Sequence, residues 1–590
     1  MKWTARTRTS LACVAVALIF TLYSARLVHL QVAKHNEYSR LAAEKHTMRL
    51  VIHARRGLIF DRNGELLASN LPVRTVVADG SHIKNPDAVA KIAAPFLEMA
   101  EKDLAQKISS DRKYIVLRRE VSEEKAVAMK KALQDANLLQ GVDLEQDAVR
   151  IYPNGQMLGH VLGFLDDKNA GAQGIEMTME SHLRGRDGYR FSEHDRTGRE
   201  IMLYRGQEEQ AEHGLNVRLT IDMSLQAIIE DELDSACRDN RPDMAVAILA
   251  DPATGEILAM ASRPCFDPNR PGDGKDEQKK NRAIVDMVEP GSTFKIVVAS
   301  GALTEGTVKE STGIYCENGA FAYGGKILHD THPYGTMNVH DILVKSSNIG
   351  SAKMGLMMGD AKYYEYVRRF GFGEKTGIEL PGEIVGMVRP PHRWDKLTLT
   401  RMPMGQSVSV TPLQLTMAMA VIANGGHLMA PRIVRSVEDT DGRVVDEKPP
   451  KVVREVIPQK TARFVSNALS GVVGEGGTAQ LAKVAGFTVA GKTGTAQKIS
   501  PAGGYFEGKY VVSFVGYLPE EDPRFVCLVL LDNPKIASGV AYGGLVAAPI
   551  FSRIGERAAR HLDLIPVLRA QPAGPLAFDA DAKSGSRGQP

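Results

Sequence analysis

A serine and a lysine three positions apart form the segment of this 590-residue sequence best suited to chemistry. Glu289-Pro290-Gly291-Ser292-Thr293-Phe294-Lys295 precedes an apolar run of small residues, 296–303. Proline and glycine ahead of such a run are typical of a helix start, which places Ser292 and Lys295 on one face of its first turn. A lysine half-buried at the positive end of a helix is pushed toward its neutral, basic form. The spacing therefore predicts an activated serine nucleophile, although Ser-x-x-Lys by itself is frequent by chance.

Two further motifs follow in an order that suits acyl transfer. Ser346-Ser347-Asn348 offers a hydroxyl to relay a proton and an amide to hold a peptide carbonyl. Lys492-Thr493-Gly494-Thr495 follows an alternating run, Phe487 to Ala490, and the pattern predicts a strand that extends through Lys498. This third motif adds a cation, two hydroxyls and a bare glycine. Each signal is weak alone, but the three together predict one acyl-transfer site.

With these three motifs present without a substitution, the chain resembles the class B penicillin-binding proteins, and within them the division-type, septal peptidoglycan D,D-transpeptidases. The segments 56–64, 150–153, 160–164 and 174–176 resemble the non-catalytic part of that family. The resemblance covers nearly the whole chain. It implies an α+β protein with one N-terminal transmembrane helix, an elongated pedestal domain, and a penicillin-binding/β-lactamase-like transpeptidase domain. Strand patterns occur at 244–250 and 256–260 and again at 487–498, 510–517 and 524–532, and the portion 292–423 between them is largely helical by pattern. We therefore expect that last domain to contain an antiparallel five-stranded sheet flanked by helices, with a helical insertion between the strands.

The resemblance also implies the catalytic roles. Neutral Lys295 would take the proton of Ser292, whose oxygen would attack the carbonyl between two terminal D-alanines of a peptidoglycan stem peptide. Ser346 would pass a proton toward the leaving amine, and Lys492 would tune that relay. A serine acyl-enzyme forms, D-alanine leaves, and an amine from a neighbouring stem peptide completes the crosslink. β-Lactams would inhibit the reaction.

Four residues are implied to bind the substrate. Asn348 would hold the peptide backbone, while the hydroxyls of Thr493 and Thr495 would bind the terminal carboxylate. Gly494 would let the stem peptide lie along the strand edge as an added strand. The backbone N–H groups of Ser292 and Thr495 would form an oxyanion hole, which contributes about 3 kcal/mol per donor in other acyl-transfer enzymes.

Composition bounds the class of protein. A hydrophobic content of 43% over 590 residues is enough for two or more globular domains. The balance of 73 basic and 70 acidic residues gives a formal net charge of +3, which provides no bulk basic field for nucleic acid. The five cysteines are scattered without Cys-x-x-Cys spacing, so we expect buried free thiols: Cys13, Cys237, Cys265, Cys316 and Cys527.

An uncharged, mostly apolar segment near the N-terminus predicts membrane insertion. Thr9 to Ala25 follows Lys2, Arg6 and Arg8 and is long enough to span a bilayer. The positive charge ahead of it places the N-terminus in the cytoplasm and the rest of the chain outside. The one Ala-x-Ala in this region, at 15–17, lies inside the apolar run, which favours an uncleaved anchor over a signal peptide. We expect a single-pass protein of the bacterial inner (cytoplasmic) membrane with a periplasmic, extracytoplasmic catalytic domain.

The predicted domain boundaries follow from these patterns and from a Pro- and Gly-rich tail. We expect, in order, a cytoplasmic tail, the transmembrane anchor, a non-catalytic pedestal or dimerisation domain, the transpeptidase domain and a disordered tail: 1–8, 9–30, 31–213, 214–566 and 567–590.

Two other motifs are rejected from their context. Residues 486–493 satisfy the phosphate-loop pattern Gly-x4-Gly-Lys-Thr, but a β-prone interior and a strand-like continuation do not suit a loop before a helix. His329, His332 and His340 match no metal-ligand spacing, so we predict neither a metal site nor a cofactor.

Alternative functions remain open at this stage. The same motifs serve D,D-carboxypeptidases and β-lactamases, which deliver water to the acyl-enzyme, and β-lactam sensors. Elongation-type or sporulation-type class B transpeptidases are also possible, although Lys492-Thr493-Gly494 modestly favours the division branch over the Lys-Ser-Gly common in the elongation branch. Residues 30–213 show no catalytic carboxylate constellation. We therefore expect a polytopic glycosyltransferase and division-complex proteins as partners, besides stem peptides and the membrane.

Overall fold

The computed structural model describes residues 5–38, 47–194, 200–203, 208–500, 504–536 and 539–566. The predicted disordered tail and the first four residues of the predicted cytoplasmic tail lie outside these ranges. The chain forms two compact units. The first comprises Met1–Gly57, Asn70–Val149 and Arg184–Gly214, and the second comprises Leu58–Ser69, Arg150–Leu183 and Leu215–Pro590.

The N-terminal apolar segment is a helix, Ala5–Val28, continued by a π-helical turn, His29–Ala33. None of its residues is buried by the rest of the chain. The run Ala5–Ala33 has 29 residues and a mean hydropathy of 2.1 in its apolar window. At 1.5 Å per residue it is ~43 Å long, which exceeds the hydrocarbon thickness of a bilayer. Among the described residues there is thus one helix of the kind that anchors single-pass membrane proteins, and it begins at Ala5, four residues before the predicted anchor.

The first unit has a core built from three strands and three helices, and the strand Val142–Ile151 pairs with the strand Leu66–Ala78. Residues 73–78 pair antiparallel with the strand Ile115–Ser122. The helices are Pro86–Leu97, Glu101–Ile108 and Glu123–Asp135. Val76, Leu104 and Met129 are completely buried where these elements meet. A separate antiparallel sheet of the same unit joins three strands: Thr47–Ile52, Gly188–His194 and Glu200–Leu203.

The second unit is organised around an antiparallel sheet of five strands, as predicted. In chain order within this unit they are β1 (Met244–Ala250), β2 (Ile257–Arg263), β3 (Ala490–Ile499), β4 (Tyr505–Leu518) and β5 (Phe525–Asp532). The order across the sheet is β2-β1-β5-β4-β3, so β3 is an edge strand. Every residue of β1 and β5 is buried, which means that both faces of the sheet are covered.

Helices of this unit cover the sheet and carry the first two motifs. They include α1 (Met223–Asn240), α2 (Lys295–Thr304), α3 (Val339–Val344), α4 (Asn348–Met358), α5 (Asp360–Arg369), α6 (Pro412–Ala423), α7 (Gln459–Val473) and α8 (Gly543–His561). Helices α1 and α8 pack against each other and on the sheet, and α6 packs on β1 and β5. The prediction of a helical insertion between the strands is confirmed.

The predicted pedestal, residues 31–213, is not one contiguous unit. The segments Leu58–Ser69 and Arg150–Leu183 belong to the second unit because their apolar side chains are buried in its core. Ile59, Leu162 and Ile175 are each 1% exposed or less within that core. These segments include the family-like stretches 150–153, 160–164 and 174–176. The sequence pattern did not predict these two returns of the chain.

Two local predictions are corrected. The strand expected from Phe487 begins at Ala490, because Phe487 is held in an isolated bridge with Val484. Of the five cysteines, Cys316 and Cys527 are buried as predicted, whereas the other three are not: Cys13, Cys237 and Cys265. Cys13 is exposed because it lies on the apolar N-terminal helix, where nothing in the chain covers it.

Candidate active site

Ser292 lies in a short 3-10 turn, Gly291–Phe294, directly before α2. The turn is packed between two other segments through glycines. A Cβ added to Gly291 would lie 2.9 Å from Thr495 O, and one added to Gly405 would lie 2.1 Å from Gly291 O. The backbone around Ser292 is therefore held between β3 and the segment 402–407. This fixes the position from which the Ser292 side chain extends. Ser292 itself is half-buried.

Lys295 begins α2 and is completely buried. Its Nζ donates to Ser346 O and lies 3.1 Å from Ser346 Oγ and 2.8 Å from Asn348 Oδ1. The structure describes both residues of the motif and shows no hydrogen bond between Lys295 Nζ and Ser292 Oγ. The direct contact that the spacing predicts is therefore not formed. Burial lowers the pKa of Lys295 well below that of an ordinary lysine, the charge of Lys492 lowers it further, and Asp330 opposes both.

Ser346 links α3 to α4 in a left-handed conformation, with φ 58°. Such a conformation is uncommon for a residue with a side chain and is kept only where the surroundings require it. The next residue, Ser347, is the N-cap of α4 and accepts from Gly350 N at 2.9 Å. As a result the Ser346 hydroxyl faces two lysines, 3.1 Å from Lys295 Nζ and 3.0 Å from Lys492 Nζ.

Lys492 is a completely buried residue of β3. Its Nζ lies 3.0 Å from Ser346 Oγ and 3.4 Å from Thr493 Oγ1. Burial lowers the pKa of Lys492 to about 7. Thr493 Oγ1 is also 3.2 Å from Thr478 Oγ1. The three motifs, which the sequence predicts to form one site, are thus joined by the hydrogen bonds that link Lys295, Ser346 and Lys492.

The remaining residues that are predicted to bind the substrate lie beside this cluster. Asn348 opens α4, and its Nδ2 donates to His329 O at 3.0 Å. Thr495 Oγ1 accepts from Gly543 N at 3.1 Å. A Cβ on Gly494 would lie 2.3 Å from Ser513 Oγ and 2.8 Å from Pro290 O. Packing inside the unit therefore requires a residue without a side chain at position 494. This requirement is separate from the predicted binding of a peptide along the strand edge.

Two acidic residues at the site were missed by the sequence analysis. Asp330 accepts from Ser347 Oγ at 2.7 Å and from Ile349 N at 3.1 Å, at the start of α4. Glu289 is buried, and its Oε1 accepts from Ser407 N at 2.9 Å and from Tyr505 OH at 3.3 Å. Burial raises the pKa of Glu289, and these two hydrogen bonds oppose the shift.

The sequence contains only slight signals that these two residues belong to the site. Glu289 is three positions before Ser292, but its partners Ser407 and Tyr505 are more than 100 residues away. Asp330 precedes Ser346 by 16 positions and follows no recognisable motif. Ser407 has a φ of 62° and donates its N–H to Glu289.

The rejected motifs have structural explanations. Residues 490–493 of the phosphate-loop pattern are in β3, and the chain continues as strand through Ile499 rather than starting a helix. The three histidines of the 329–340 region do not converge: His340 Nδ1 contacts Asp341, and the ring of His332 contacts that of Tyr334. Within the described ranges, no group of three or more His, Cys, Asp or Glu side chains is arranged to hold a metal ion.

Models of two protein families match successive parts of the chain. A family model of the penicillin-binding protein dimerisation domain matches residues 51–219, and one of the penicillin binding protein transpeptidase domain matches residues 245–556. The chain belongs to the penicillin-binding protein transpeptidase family.

Individual proteins are similar over most of their length. Stage V sporulation protein D of Bacillus subtilis is 34% identical, over 94% of this chain and 85% of its own. Peptidoglycan D,D-transpeptidase FtsI of Escherichia coli is 31% identical, over 94% of this chain and 91% of its own. The crystal structure of penicillin binding protein 3 from Mycobacterium tuberculosis, complexed with aztreonam, has a TM-score of 0.68 at 28% identity, covering 88% of this chain and 99% of that one.

Proposed function

We propose that this chain is a serine-type peptidoglycan D,D-transpeptidase that crosslinks stem peptides during septal wall synthesis and is inhibited by β-lactams. One observation carries the proposal: Ser346 Oγ lies within 3.1 Å of both Lys295 Nζ and Lys492 Nζ, directly beside the Ser292 turn. Membership of the family and the similarity to a named D,D-transpeptidase support the same conclusion. The similarity to a structure complexed with aztreonam, a β-lactam, supports the inhibitor class.

In the proposed acylation, the Lys295 amine takes the proton of Ser292 and becomes an ammonium, while Oγ forms a bond with the substrate carbonyl carbon. Ser292 and Lys295 are three residues apart at a 3-10 to α transition, where side chains at this spacing lie over each other. The C–N bond then breaks, and a proton passes from Lys295 through Ser346 Oγ to the departing amine of D-alanine. Lys492, 3.0 Å from Ser346 Oγ, holds that hydroxyl and tunes its acidity.

The developing oxyanion is proposed to bind to two backbone donors, the N–H groups of Ser292 and Thr495. The close approach of Gly291 to Thr495 supports this pairing, because it brings the two backbones together. Each donor would contribute about 3 kcal/mol to the transition state. We assign the terminal carboxylate to the hydroxyls of Thr493 and Thr495. We assign the peptide backbone to the edge of β3, near Gly494, and to Asn348.

In the second half-reaction an amine of a neighbouring stem peptide attacks the ester carbonyl. The amine proton moves to the Ser346–Lys295 pair, the ester C–O bond breaks, and Ser292 regains its proton. Transpeptidation differs from hydrolysis only in this nucleophile. Incubation of the purified protein with two stem-peptide analogues distinguishes them: a crosslinked dimer supports the transpeptidase, whereas hydrolysed monomer alone identifies a carboxypeptidase.

Labelling by a fluorescent penicillin tests the nucleophile. Ser292→Ala should abolish covalent labelling while changing stability by less than about 1 kcal/mol, since one hydroxyl is removed from a cleft. The control is Ser224→Ala, which removes an exposed hydroxyl near the start of α1 and should leave labelling intact. Persistent labelling of Ser292→Ala, with both variants folded, would assign the nucleophile to another residue.

We assign catalysis to residues 214–566 and positioning or partner contacts to residues 31–213, with residues 9–30 as the membrane anchor, 1–8 in the cytoplasm and 567–590 as a disordered tail. The helix Ala5–Val28, whose apolar run follows Lys2, Arg6 and Arg8, supports a single-pass protein with an extracytoplasmic catalytic domain. A fusion of alkaline phosphatase to the C-terminus should be active, because that enzyme requires an extracytoplasmic location.

The chain is further proposed to act with a multi-span membrane glycosyltransferase that polymerises lipid-linked disaccharide, within the division complex. The face of Leu11, Ala15, Leu18 and Leu22 on the N-terminal helix is exposed and apolar, which suits close van der Waals packing with another membrane helix. Purified full-length protein should make no glycan strands from lipid-linked substrate until the polymerase is added. Strands formed without it would contradict the partner requirement.

A sporulation role is the second candidate, because Stage V sporulation protein D is 34% identical to this chain. The two roles predict different locations and times of action. A fluorescent fusion that concentrates at the septum of growing cells supports the division role. A fusion confined to the forming spore supports the sporulation role.

A further inference from the structure

The N-terminus of α4 is held by a carboxylate from outside the three motifs. Asp330 Oδ1 accepts from the backbone N–H groups of Asn348 and Ile349, and its Oδ2 accepts from Ser347 Oγ at 2.7 Å. The first N–H groups of a helix have no partner within the helix, so an external carboxylate both satisfies them and fixes the helix start. Here that start is the Ser346-Ser347-Asn348 motif itself.

Asp330 is itself held in place by a hairpin. It follows the strand Lys326–His329, which pairs antiparallel with Ala320–Tyr323, and its N–H donates to Gly319 O at 3.1 Å. The preceding residue contributes a second restraint, because His329 O accepts from Asn348 Nδ2 at 3.0 Å. Two consecutive residues thus fix the backbone and the side chain of Asn348 together.

This restraint reaches the reacting groups through short connections. With its Nδ2 bound to His329, Asn348 turns Oδ1 toward Lys295 Nζ, 2.8 Å away. Ser346, one residue before the Ser347 N-cap, is left in its left-handed conformation with Oγ between the two lysines. The charge of Lys492 lowers the pKa of the Lys295 amine, whereas the charge of Asp330 raises it and so favours the ammonium form.

We propose that Asp330 is a positioning residue for acyl transfer, which fixes Ser346 and Asn348 against Lys295 and places its negative charge at the start of α4. The proposal rests on the proposed function, since it assigns Asp330 to the same Ser292 chemistry. It differs from a simple helix cap because it requires an effect on the protonation of Lys295 as well as on the stability of α4.

The test uses the full-length protein and measures the second-order rate of acylation by a fluorescent penicillin from pH 5 to pH 9. Asp330→Asn keeps the shape of the side chain and removes its charge. We expect the plateau rate to fall by at least about tenfold. We also expect the rising limb of the pH–rate profile, where the acylation rate increases with pH, to move to lower pH. The group that raises the Lys295 pKa has been removed, so the neutral amine persists in more acidic solution.

Asp330→Glu separates charge from position. It retains the negative charge but displaces the carboxylate by one methylene, so the rate should fall while the rising limb stays near that of the unchanged protein. This variant also carries the test if Asp330→Asn does not fold. The matched control is Asp222→Asn, because Asp222 caps α1 by accepting from Ser224 N and Leu225 N and contacts no motif residue. It should lower the thermal unfolding midpoint without changing the pH profile.

The outcomes are distinct. A folded Asp330→Asn variant with an unchanged rate and an unchanged rising limb would overturn the proposal, and so would an unchanged rate in Asp330→Glu if only that variant folds. A lowered unfolding midpoint with an unchanged limb would also overturn it, because Asp330 would then be only a cap. Absence of acylation in the unchanged protein would instead refute the proposed function.

Discussion

Ser346 Oγ lies 3.0 Å from Lys492 Nζ. The same hydroxyl is 3.1 Å from Lys295 Nζ, so one oxygen bridges two completely buried amines. Two ammonium groups at this separation would repel each other in a site with little water, which favours a neutral form of one lysine. Burial and this repulsion together hold the pKa of Lys295 well below that of an ordinary lysine, which lets its amine act as a base.

The rate of acylation should reach its plateau well below pH 10.5, the usual pKa of lysine. The base must be neutral to accept the Ser292 proton, and burial and Lys492 lower the pKa of Lys295, so the rate rises with pH through that lowered value. Stopped-flow acylation by a chromogenic cephalosporin between pH 5 and pH 10 measures this limb. A rate that still increases at pH 10 would indicate a base with an unshifted pKa.

Lys295→Arg should reduce acylation nearly as much as Ser292→Ala does. A guanidinium stays protonated at any accessible pH, so it retains the positive charge and loses the ability to act as a base. Gel fluorescence after labelling measures the loss, and circular dichroism checks that the buried guanidinium is tolerated. Acylation at the original rate would exclude Lys295 as the base.

Lys492→Met should stabilise the protein at pH 7 by more than at pH 10, while it impairs acylation. The pKa of Lys492 is about 7 in the folded protein and 10.5 in an exposed lysine, so between these values the unfolded chain binds a proton that the folded chain does not. Stability therefore rises with pH across this window, and the cost of burying the amine is fully present below it. Burying the lysine amine costs a few kcal/mol, and methionine has no such cost.

Thermal unfolding midpoints at pH 7 and pH 10 measure this effect. Lys483→Met is the matched control, because Lys483 is exposed and its replacement should give the same difference from the unchanged protein at both pH values. Equal stabilisation of Lys492→Met at the two values would show that Lys492 is not neutralised by burial.

Gly405→Ala should lower the rate of acylation, an effect that the backbone strain of a positive φ would not cause by itself. Gly405 has a φ of 80°, and an added Cβ would lie 2.1 Å from Gly291 O, so the Ser292 turn must move. Gly442→Ala is the control: its φ is 81°, but the added Cβ would meet no atom within 4 Å. Each variant loses stability from a positive φ, whereas only Gly405→Ala should lose acylation. Equal labelling of both variants would show that the turn tolerates displacement.

The sequence by itself determined the features that depend on local spacing and periodicity. Ser292 and Lys295 share one turn because three positions separate them, and the alternating apolar pattern was enough to identify β1, β4 and β5. The five-stranded sheet and the helical insertion followed from the same patterns. The apolar N-terminal helix was also evident from composition, since a span requires only length and the absence of charge.

The tertiary structure decided whatever depends on contacts between distant segments. Lys295 contacts Ser346 and Asn348 rather than Ser292, because its buried amine finds partners at the start of α4. Asp330 and Glu289 form hydrogen bonds with groups 17 to 216 positions away, and no local sequence pattern predicts such pairings. The segments 58–69 and 150–183 join the second unit for the same reason, since their apolar side chains complete a core assembled only when the chain folds back.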